Sequence, residues 1–107
     1  MTCVAGGLQY PHRGSPQDDQ FAAWIDGLRD LHGRARILAR VERLAAGNPG
    51  DRAPVGGGVV ELRIDCGPGY RVYYVRRGRA LVVLLAGGDK GSQRRDISLA
   101  LRLAKTV

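Results

Sequence analysis

The sequence predicts an α+β fold, in which an N-terminal helical hairpin packs on an antiparallel β-meander of about three to four strands, followed by a C-terminal helix. Apolar residues recur every three or four positions up to residue 45, which is typical of amphipathic helices. From residue 60 they alternate with polar residues, and glycine-rich turns separate the runs, as in antiparallel hairpins. The length of 107 residues leaves room for one domain.

The helical hairpin is predicted between residues 18 and 45. Asp18 or Asp19 can cap the first helix, because a short carboxylate accepts the free N–H groups of a first turn. A break near residues 32–33 separates the helices, and the sequence GNPG at residues 47–50 ends the second one. The predicted apolar faces consist of Phe21, Trp24, Ile25, Leu28 and Leu31, then Ile37, Val41 and Leu44. Residues 1–17 are predicted to be an irregular arm or edge strand, and residues 18–107 to form the single domain.

The meander follows a link rich in glycine and proline, residues 47–58. Its first two strands meet in a turn at residues 67–69, and the length of this turn determines which residues face each other. A three-residue turn with a left-handed glycine is predicted, because it keeps charged residues off the apolar face. This register places Arg63 opposite Tyr73 and Asp65 opposite Arg71. The apolar face then consists of Val60, Leu62, Ile64, Val72 and Tyr74.

Arg63, Arg71 and Tyr73 share the outward face of this predicted hairpin. Arginines on a rigid sheet can hold a phosphodiester, and Tyr73 can offer a stacking surface or a polar contact. The alternative is that the two arginines pair with Glu61 and Asp65 in water, which contributes little energy. Both interpretations stay open at the level of the sequence.

The glycine-rich segment 87–92 links the last predicted strand, residues 80–86, to the third helix. Exposed N–H groups at a helix start favour phosphate binding, whereas the alternative is a plain turn with Lys90 in solvent. The Walker pattern of nucleotide-binding loops is absent. Ser92 or Asp89 is the expected cap of the third helix. Its predicted apolar face contains Ile97, Ala100, Leu101 and Ala104.

Composition and charge narrow the expected partners and cofactors. The formal net charge is +7, and all 17 basic residues except Lys90 and Lys105 are arginine. This excess favours a polyanion or an acidic protein surface as partner over a merely solvated basic surface. The two cysteines and two histidines lack metal-ligand spacing, so we expect no metal and no cofactor. No apolar run could span a bilayer and no signal peptide is evident, so we expect no membrane contact and a cytoplasmic location.

Several linked motifs resemble those of one family of bacterial proteins. They are GNPGD at residues 47–51, VELRIDCGPGYRVYY at 60–74 and LLAGGDKGSQRRDI at 84–97, preceded by FAAWIDGLRD at 21–30 and RARILARVERL at 34–44. Together they resemble the RelE/ParE superfamily of toxin–antitoxin toxins, and within it the HigB-like "addiction module killer" branch. The resemblance extends from residue 21 to the C-terminus and implies a RelE/ParE-like α+β fold.

This resemblance implies a toxin that a co-expressed antitoxin keeps silent, and we expect the antitoxin to be a small helix-turn-helix protein or an acidic protein. For the RNase members it implies metal-free cleavage of mRNA on the ribosome, in which the 2′-hydroxyl attacks its own phosphate and leaves a 2′,3′-cyclic product. By position in the motifs, Arg71 is implied to contact the phosphate and the transition state, and Arg63 to position the phosphate. Lys90 is implied to balance charge on the leaving group or the phosphate. Further implied RNA or phosphate contacts are Tyr73, Gly91, Gln93 and Arg94.

Two other functions remain open because the same fold serves several of them. One is a ParE-type toxin that inhibits DNA gyrase by binding, without catalysis. The other is a degenerate toxin that retains only antitoxin binding. Some RNase members carry a tyrosine or histidine near the start of the C-terminal segment, where this chain has residues RDI at 95–97. Tyr73 or Asp89 would therefore have to replace that group in the proton transfer.

Overall fold

The computed structural model describes residues 8–9, 20–78 and 81–107, and it confirms the predicted α+β fold. The helices are α1 (Gln20–Asp26), α2 (Leu31–Ala45) and α3 (Gln93–Ala104), and the strands are β1 (Leu8–Gln9), β2 (Arg52–Gly56), β3 (Val59–Ile64), β4 (Tyr70–Arg77) and β5 (Leu81–Gly88). A 3₁₀ turn, Lys90–Ser92, connects β5 to α3. The helical hairpin, the antiparallel meander β3–β5 and the C-terminal helix thus follow the predicted order.

The strands form one sheet in the order β1–β5–β4–β3–β2, and all described neighbours are antiparallel except β1 and β5. β2 lies in the segment predicted to be a link, and that prediction is wrong. Pro54 has no N–H to donate, and β2 tolerates it because this strand is at the sheet edge and bulges next to the proline. Apart from β1, the predicted arm at residues 1–17 lies outside the described residues, as do the candidate caps Asp18 and Asp19.

Helices cover both faces of the sheet. The core under α1 and α2 consists of Phe21, Ile25, Ile37, Val41, Leu44, Leu62, Ile64, Tyr70, Val72, Tyr74, Val82 and Leu84. The core under α3 consists of Val59, Tyr73, Val75, Val83, Leu85, Ala86, Ala100 and Ala104. The hairpin face that was expected to point outward is therefore covered by α3.

The register of the β3–β4 hairpin differs from the predicted one. Ile64 pairs with Tyr70 and Arg63 pairs with Arg71, so the turn comprises residues 65–69 and is longer than expected. The difference amounts to two positions, and a shift of two leaves every side chain on the same face of its strand. The predicted apolar face is accordingly confirmed, whereas the predicted facing pairs are wrong.

Asp30 sets the start of α2. Its carboxylate accepts the N–H of Gly33 at 3.0 Å and the hydroxyl of Tyr70 at 2.8 Å, so one side chain caps the helix and joins it to β4. The helix break predicted near residues 32–33 is wrong, because this cap lets α2 begin at Leu31. Leu31 was predicted to lie on the apolar face of the first helix, and this prediction is wrong because Leu31 is 72% exposed.

Alkaline pH is expected to weaken the link between Asp30 and Tyr70. Burial, the hydrogen bond to Asp30 and the charge of that carboxylate raise the pKa of Tyr70 to about 12. The folded-state pKa lies above the ordinary value of 10.0, so the stabilisation is complete below pH 10.0 and is lost as the pH rises towards 12. An ultraviolet titration of tyrosine ionisation should show the Tyr70 transition at lower pH in Asp30→Asn. Identical titration curves for the two proteins would contradict this link.

Candidate functional site

The two arginines of the predicted site lie at one end of the sheet. Arg63 of β3 and Arg71 of β4 occupy directly opposite positions on the face that α3 covers. The side chain of Arg63 is 42% exposed, and that of Arg71 is 15% exposed. Like charges directly opposite on neighbouring strands repel each other, so this pair needs a compensating anion.

Glu61 supplies that anion from the same face of β3, where it is 1% exposed. Its Oε1 accepts the Nε–H of Arg63 at 3.1 Å and lies 4.0 Å from Nη1 of Arg71. Its Oε2 accepts the hydroxyl of Tyr73 at 3.1 Å and the side-chain amide of Gln93 at 2.5 Å. A buried charge is tolerated only with such partners. These five residues form what we call the Glu61 network, which joins β3, β4 and α3.

The burial of Tyr73 corrects its predicted role. The residue is 0% exposed, so the prediction that its ring offers a stacking surface is wrong. The physical reason is that α3 covers the ring. Burial and the negative charge of Glu61 raise the pKa of Tyr73, so its hydroxyl keeps the proton that it donates to Glu61. Tyr73 is therefore poorly suited to replace a general base.

Asp89 caps the turn that was predicted to bind phosphate. Its Oδ1 accepts the N–H of Gly91 at 2.8 Å and that of Ser92 at 3.2 Å, while the Ser92 hydroxyl accepts the N–H of Asp89. The N–H of Gly91 thus already has an acceptor, and the phosphate contact predicted for Gly91 would have to displace Asp89. Asp89 is likewise engaged as a cap. Of the two caps expected for the third helix, Asp89 caps the 3₁₀ turn and Ser92 makes no side-chain cap to α3.

Lys90 lies beside the turn between β3 and β4. A Cβ placed on Gly69 would lie 3.4 Å from the Cβ of Lys90, and Lys90 itself is exposed. Gln93 starts α3 with its amide in the Glu61 network, and Arg94 follows it in an exposed position. The structure thus brings Lys90 and Arg94 to the end of the sheet that holds the two arginines.

Arg40 supports the same end of the sheet from below, on the face that α2 covers. Its Nη1 donates to the carbonyl of Arg63 at 2.7 Å, and its Nη2 donates to the carbonyl of Pro49 at 2.8 Å. These bonds tie α2 to the end of β3 and hold the backbone from which Arg63 projects. Neither the role of Arg40 nor the central place of Glu61 was predicted from the sequence. For Glu61 the available signal was its alternation with Arg63 along β3.

A separate cavity of about 600 Å³ lies between α1 and α3 at the end of β5. Trp24, Asp89, Ser92 and Asp96 contribute to its lining, whereas none of the predicted RNA or phosphate contacts does. Within the described ranges, no group of three or more His, Cys, Asp or Glu residues is arranged to hold a metal ion. None of the described helices combines the length and apolar character that crossing a bilayer requires.

The site is suited to binding an anion rather than to accepting a proton. Arginine stays charged at neutral pH, and its planar fork of donors matches the oxygens of a phosphate. The Arg63 side chain is 42% exposed, with its Nε bound to Glu61 and its Nη1 3.8 Å from the exposed Asp51, and Arg71 lies directly opposite on β4. Lys90, next to Gly69 in the turn that precedes Arg71, adds a positive charge at this end of the sheet.

Comparison with known proteins gives the family. The sequence profile described as "Phage derived protein Gp49-like (DUF891)" matches residues 23–105. A protein of Haemophilus influenzae (strain ATCC 51907 / DSM 11121 / KW20 / Rd), described as an uncharacterized protein, is 48% identical over 87 residues, which are 81% of this chain and 88% of that protein. No solved structure matches significantly. The chain therefore belongs to the phage-derived Gp49-like family, whose members are similar to the toxins of toxin–antitoxin systems.

Proposed function

We propose that this Gp49-like protein is a RelE/ParE-type toxin of the HigB-like branch that cleaves mRNA on the ribosome, in the cytoplasm and without a metal ion. A cognate antitoxin, a small helix-turn-helix protein, neutralises it. The observation that carries the proposal is the pair of directly opposed arginines, Arg63 and Arg71, held by one buried carboxylate. Such a pair on two rigid strands matches the oxygens of a phosphodiester.

In the proposed reaction the 2′-hydroxyl of the RNA attacks the neighbouring phosphorus. The P–O2′ bond forms, the P–O5′ bond breaks, and the products are a 2′,3′-cyclic phosphate and a 5′-hydroxyl. Arg71 contacts the non-bridging oxygens, whose negative charge grows in the transition state, and Arg63 holds the phosphate in place. Lys90 balances the charge on the leaving 5′ oxygen, which takes a proton from water. The proton of the 2′-hydroxyl passes to water, since Tyr73 and Asp89 are engaged elsewhere.

Controlled expression in bacteria tests this proposal, with primer extension on a few abundant mRNAs before and after induction. We expect cuts within translated regions for the native protein. Arg71→Ala should lower cleavage by about 100-fold or more, because removing one donor from a developing oxyanion has effects of that order. Arg36→Ala is the matched control, since Arg36 is an exposed arginine of α2, the helix on the other face of the sheet. It should cleave like the native protein.

Three outcomes would overturn the proposal in different ways. Growth arrest with intact mRNA would favour the gyrase inhibitor, and supercoiling assays with purified gyrase would then replace primer extension. Absence of arrest would favour a degenerate toxin that retains only antitoxin binding. Cleavage that survives in Arg71→Ala would preserve an RNase but remove the proposed site.

A further inference from the structure

One face of α3 carries a row of exposed positive charges. The positions are Arg94, Arg95, Arg102 and Lys105, with the exposed Ser98 between them. At 100° per residue these five positions fall within about 100° of arc, which is one face of a helix. Arg94 and Lys105 are about 17 Å apart along the axis at 1.5 Å per residue. We call these five residues the α3 basic face.

No acidic side chain balances this face within the described ranges. Arg94, Arg102 and Lys105 form no ion pair with the described residues, and Arg95 only approaches Asp96 at 4.0 Å while staying 83% exposed. Asp96 is the acidic residue of α3, and it is 7% exposed and accepts the hydroxyl of Ser92.

Helix stability does not explain the charges at the start of α3. Cations near a helix C-terminus are favourable, which suits Arg102 and Lys105. Arg94 and Arg95 lie in the first turn, where the positive end of the helix dipole disfavours a cation. The sequence therefore keeps two arginines where they oppose the helix that carries them, which indicates that they serve a ligand.

Helix α3, which carries the basic face, begins beside the proposed site and runs along β4. At its start, Gln93 bonds to Glu61 beside the two site arginines. At its end, the carbonyl of Ala104 accepts a hydrogen bond from Arg77, the last residue of β4. Because Arg71 is near the start of β4, α3 runs in the direction of that strand, away from the site. A polyanion bound at the site can continue along this face.

The chemistry of the face favours a nucleic-acid backbone over an acidic protein segment. Protein partners are anchored by apolar and aromatic contacts at the centre of an interface. The large apolar residues exposed in the described ranges are Leu31 and Val107, and neither belongs to α3. A row of arginine and lysine with a serine, and with no apolar anchor, is the pattern of phosphate contacts.

We propose that the α3 basic face binds the phosphodiester backbone of the RNA beyond the cleaved bond. This inference rests on the proposed function and names a second contact surface for the same RNA. The α3 basic face increases the affinity for RNA and sets the direction in which the RNA runs from the site. Arg63 and Arg71 act on the reacting phosphate.

The test measures binding of a labelled 2′-O-methyl RNA oligonucleotide, which lacks the attacking hydroxyl and cannot be cut by this route. The test variant is Arg94→Gln/Arg102→Gln/Lys105→Gln, and the control is Arg29→Gln/Arg36→Gln/Arg43→Gln. All six positions are exposed, and both variants lose the same amount of charge. Glutamine matches arginine and lysine in helix propensity, so both proteins should fold, which circular dichroism and the melting temperature check.

The test variant should bind about tenfold or more weakly, and the slope of log affinity against log salt should fall by about two, at roughly 0.7 per lost phosphate contact. The control should keep nearly the native slope. Equal losses in both variants would overturn the proposal, because net charge alone would then explain binding. An unchanged slope in the test variant would overturn it as well.

Polyglutamate is the second probe. If it binds as tightly as the RNA and loses the same affinity in the test variant, the face binds acidic protein segments and the RNA assignment is overturned. Failure of the proposed function has another signature. In that case mRNA stays intact after induction of the native protein, while binding of the 2′-O-methyl probe still depends on α3.

Discussion

Replacing Glu61 with glutamine is expected to lower the turnover of RNA cleavage about 100-fold while leaving RNA binding unchanged or tighter. Glutamine keeps the size of the side chain and an oxygen that can accept from Tyr73. It removes the negative charge that holds Arg63 and Arg71 together, and these two opposed cations then repel each other. Binding does not suffer, because the site becomes more positive. Turnover falls, because misplacing a catalytic group by about 1 Å has effects of this size.

Single-turnover cleavage of mRNA on purified ribosomes, with the protein in excess, separates the two parameters. Tyr73→Phe is the matched control. It removes the hydroxyl that donates to Glu61 and leaves the carboxylate beside the arginines. The free energy of unfolding of Tyr73→Phe should be lower by about 1 kcal/mol, because one buried hydrogen bond is lost. Its cleavage rate should be that of the native protein. Native turnover in folded Glu61→Gln would show that the arginines need no such positioning. A loss of turnover in Tyr73→Phe would assign the effect to general loosening of the network.

Gly87→Ala is expected to destabilise the fold by about 3 kcal/mol, a large part of the stability of a domain of this size. A Cβ at Gly87 would overlap the indole ring of Trp24, which packs directly on this end of β5. The ring is held on two sides, because it packs edge-on against Tyr70 with ring centroids 6.2 Å apart and against Phe21 at 5.9 Å, so retreat towards the cavity that it lines would break these contacts. Chemical denaturation of the native and variant proteins measures this difference.

A second substitution identifies the cause. Trp24→Leu should destabilise the native protein but should be less harmful in the Gly87→Ala background, with a coupling free energy of about 1 kcal/mol or more. Gly91→Ala is the control, because a Cβ there meets only the carboxylate of Asp89 at 3.2 Å. It should change the free energy of unfolding by less than about 0.5 kcal/mol. Additive effects of the Gly87 and Trp24 substitutions would show that the ring is not the obstacle.

Glu61→Gln and Gly87→Ala have large expected effects because both act where a helix packs on the sheet. Local sequence patterns carry the least information about such contacts. The alternation along β3 and β4 correctly separated the two faces, even though the register differed from the predicted one. That alternation carries no information about which face a later helix covers. Glu61 and Tyr73 therefore looked like surface residues, and only the position of α3 shows that they are buried.

The short elements show a similar division. The helical hairpin was evident from its periodicity, but the start of α2 depends on Asp30, whose second partner Tyr70 is 40 positions further along the chain. β2 is short and contains a proline and a glycine, with only Ala53 and Val55 half-buried between exposed residues. It is a strand because β3 provides a neighbouring edge to pair with. Such long-range pairings leave no mark on local composition.

The sequence by itself determined the fold class, the two faces of the hairpin and the family motifs that include Arg63 and Arg71. These features depend on periodicity and on residue type, which are properties of neighbouring positions. The tertiary structure decided that Glu61 is the buried partner of both arginines and that Asp89 accepts the N–H of Gly91. It also decided that α3 extends the positive surface away from the site. These features depend on which segments pack together, since burial and pairing arise between residues distant along the chain.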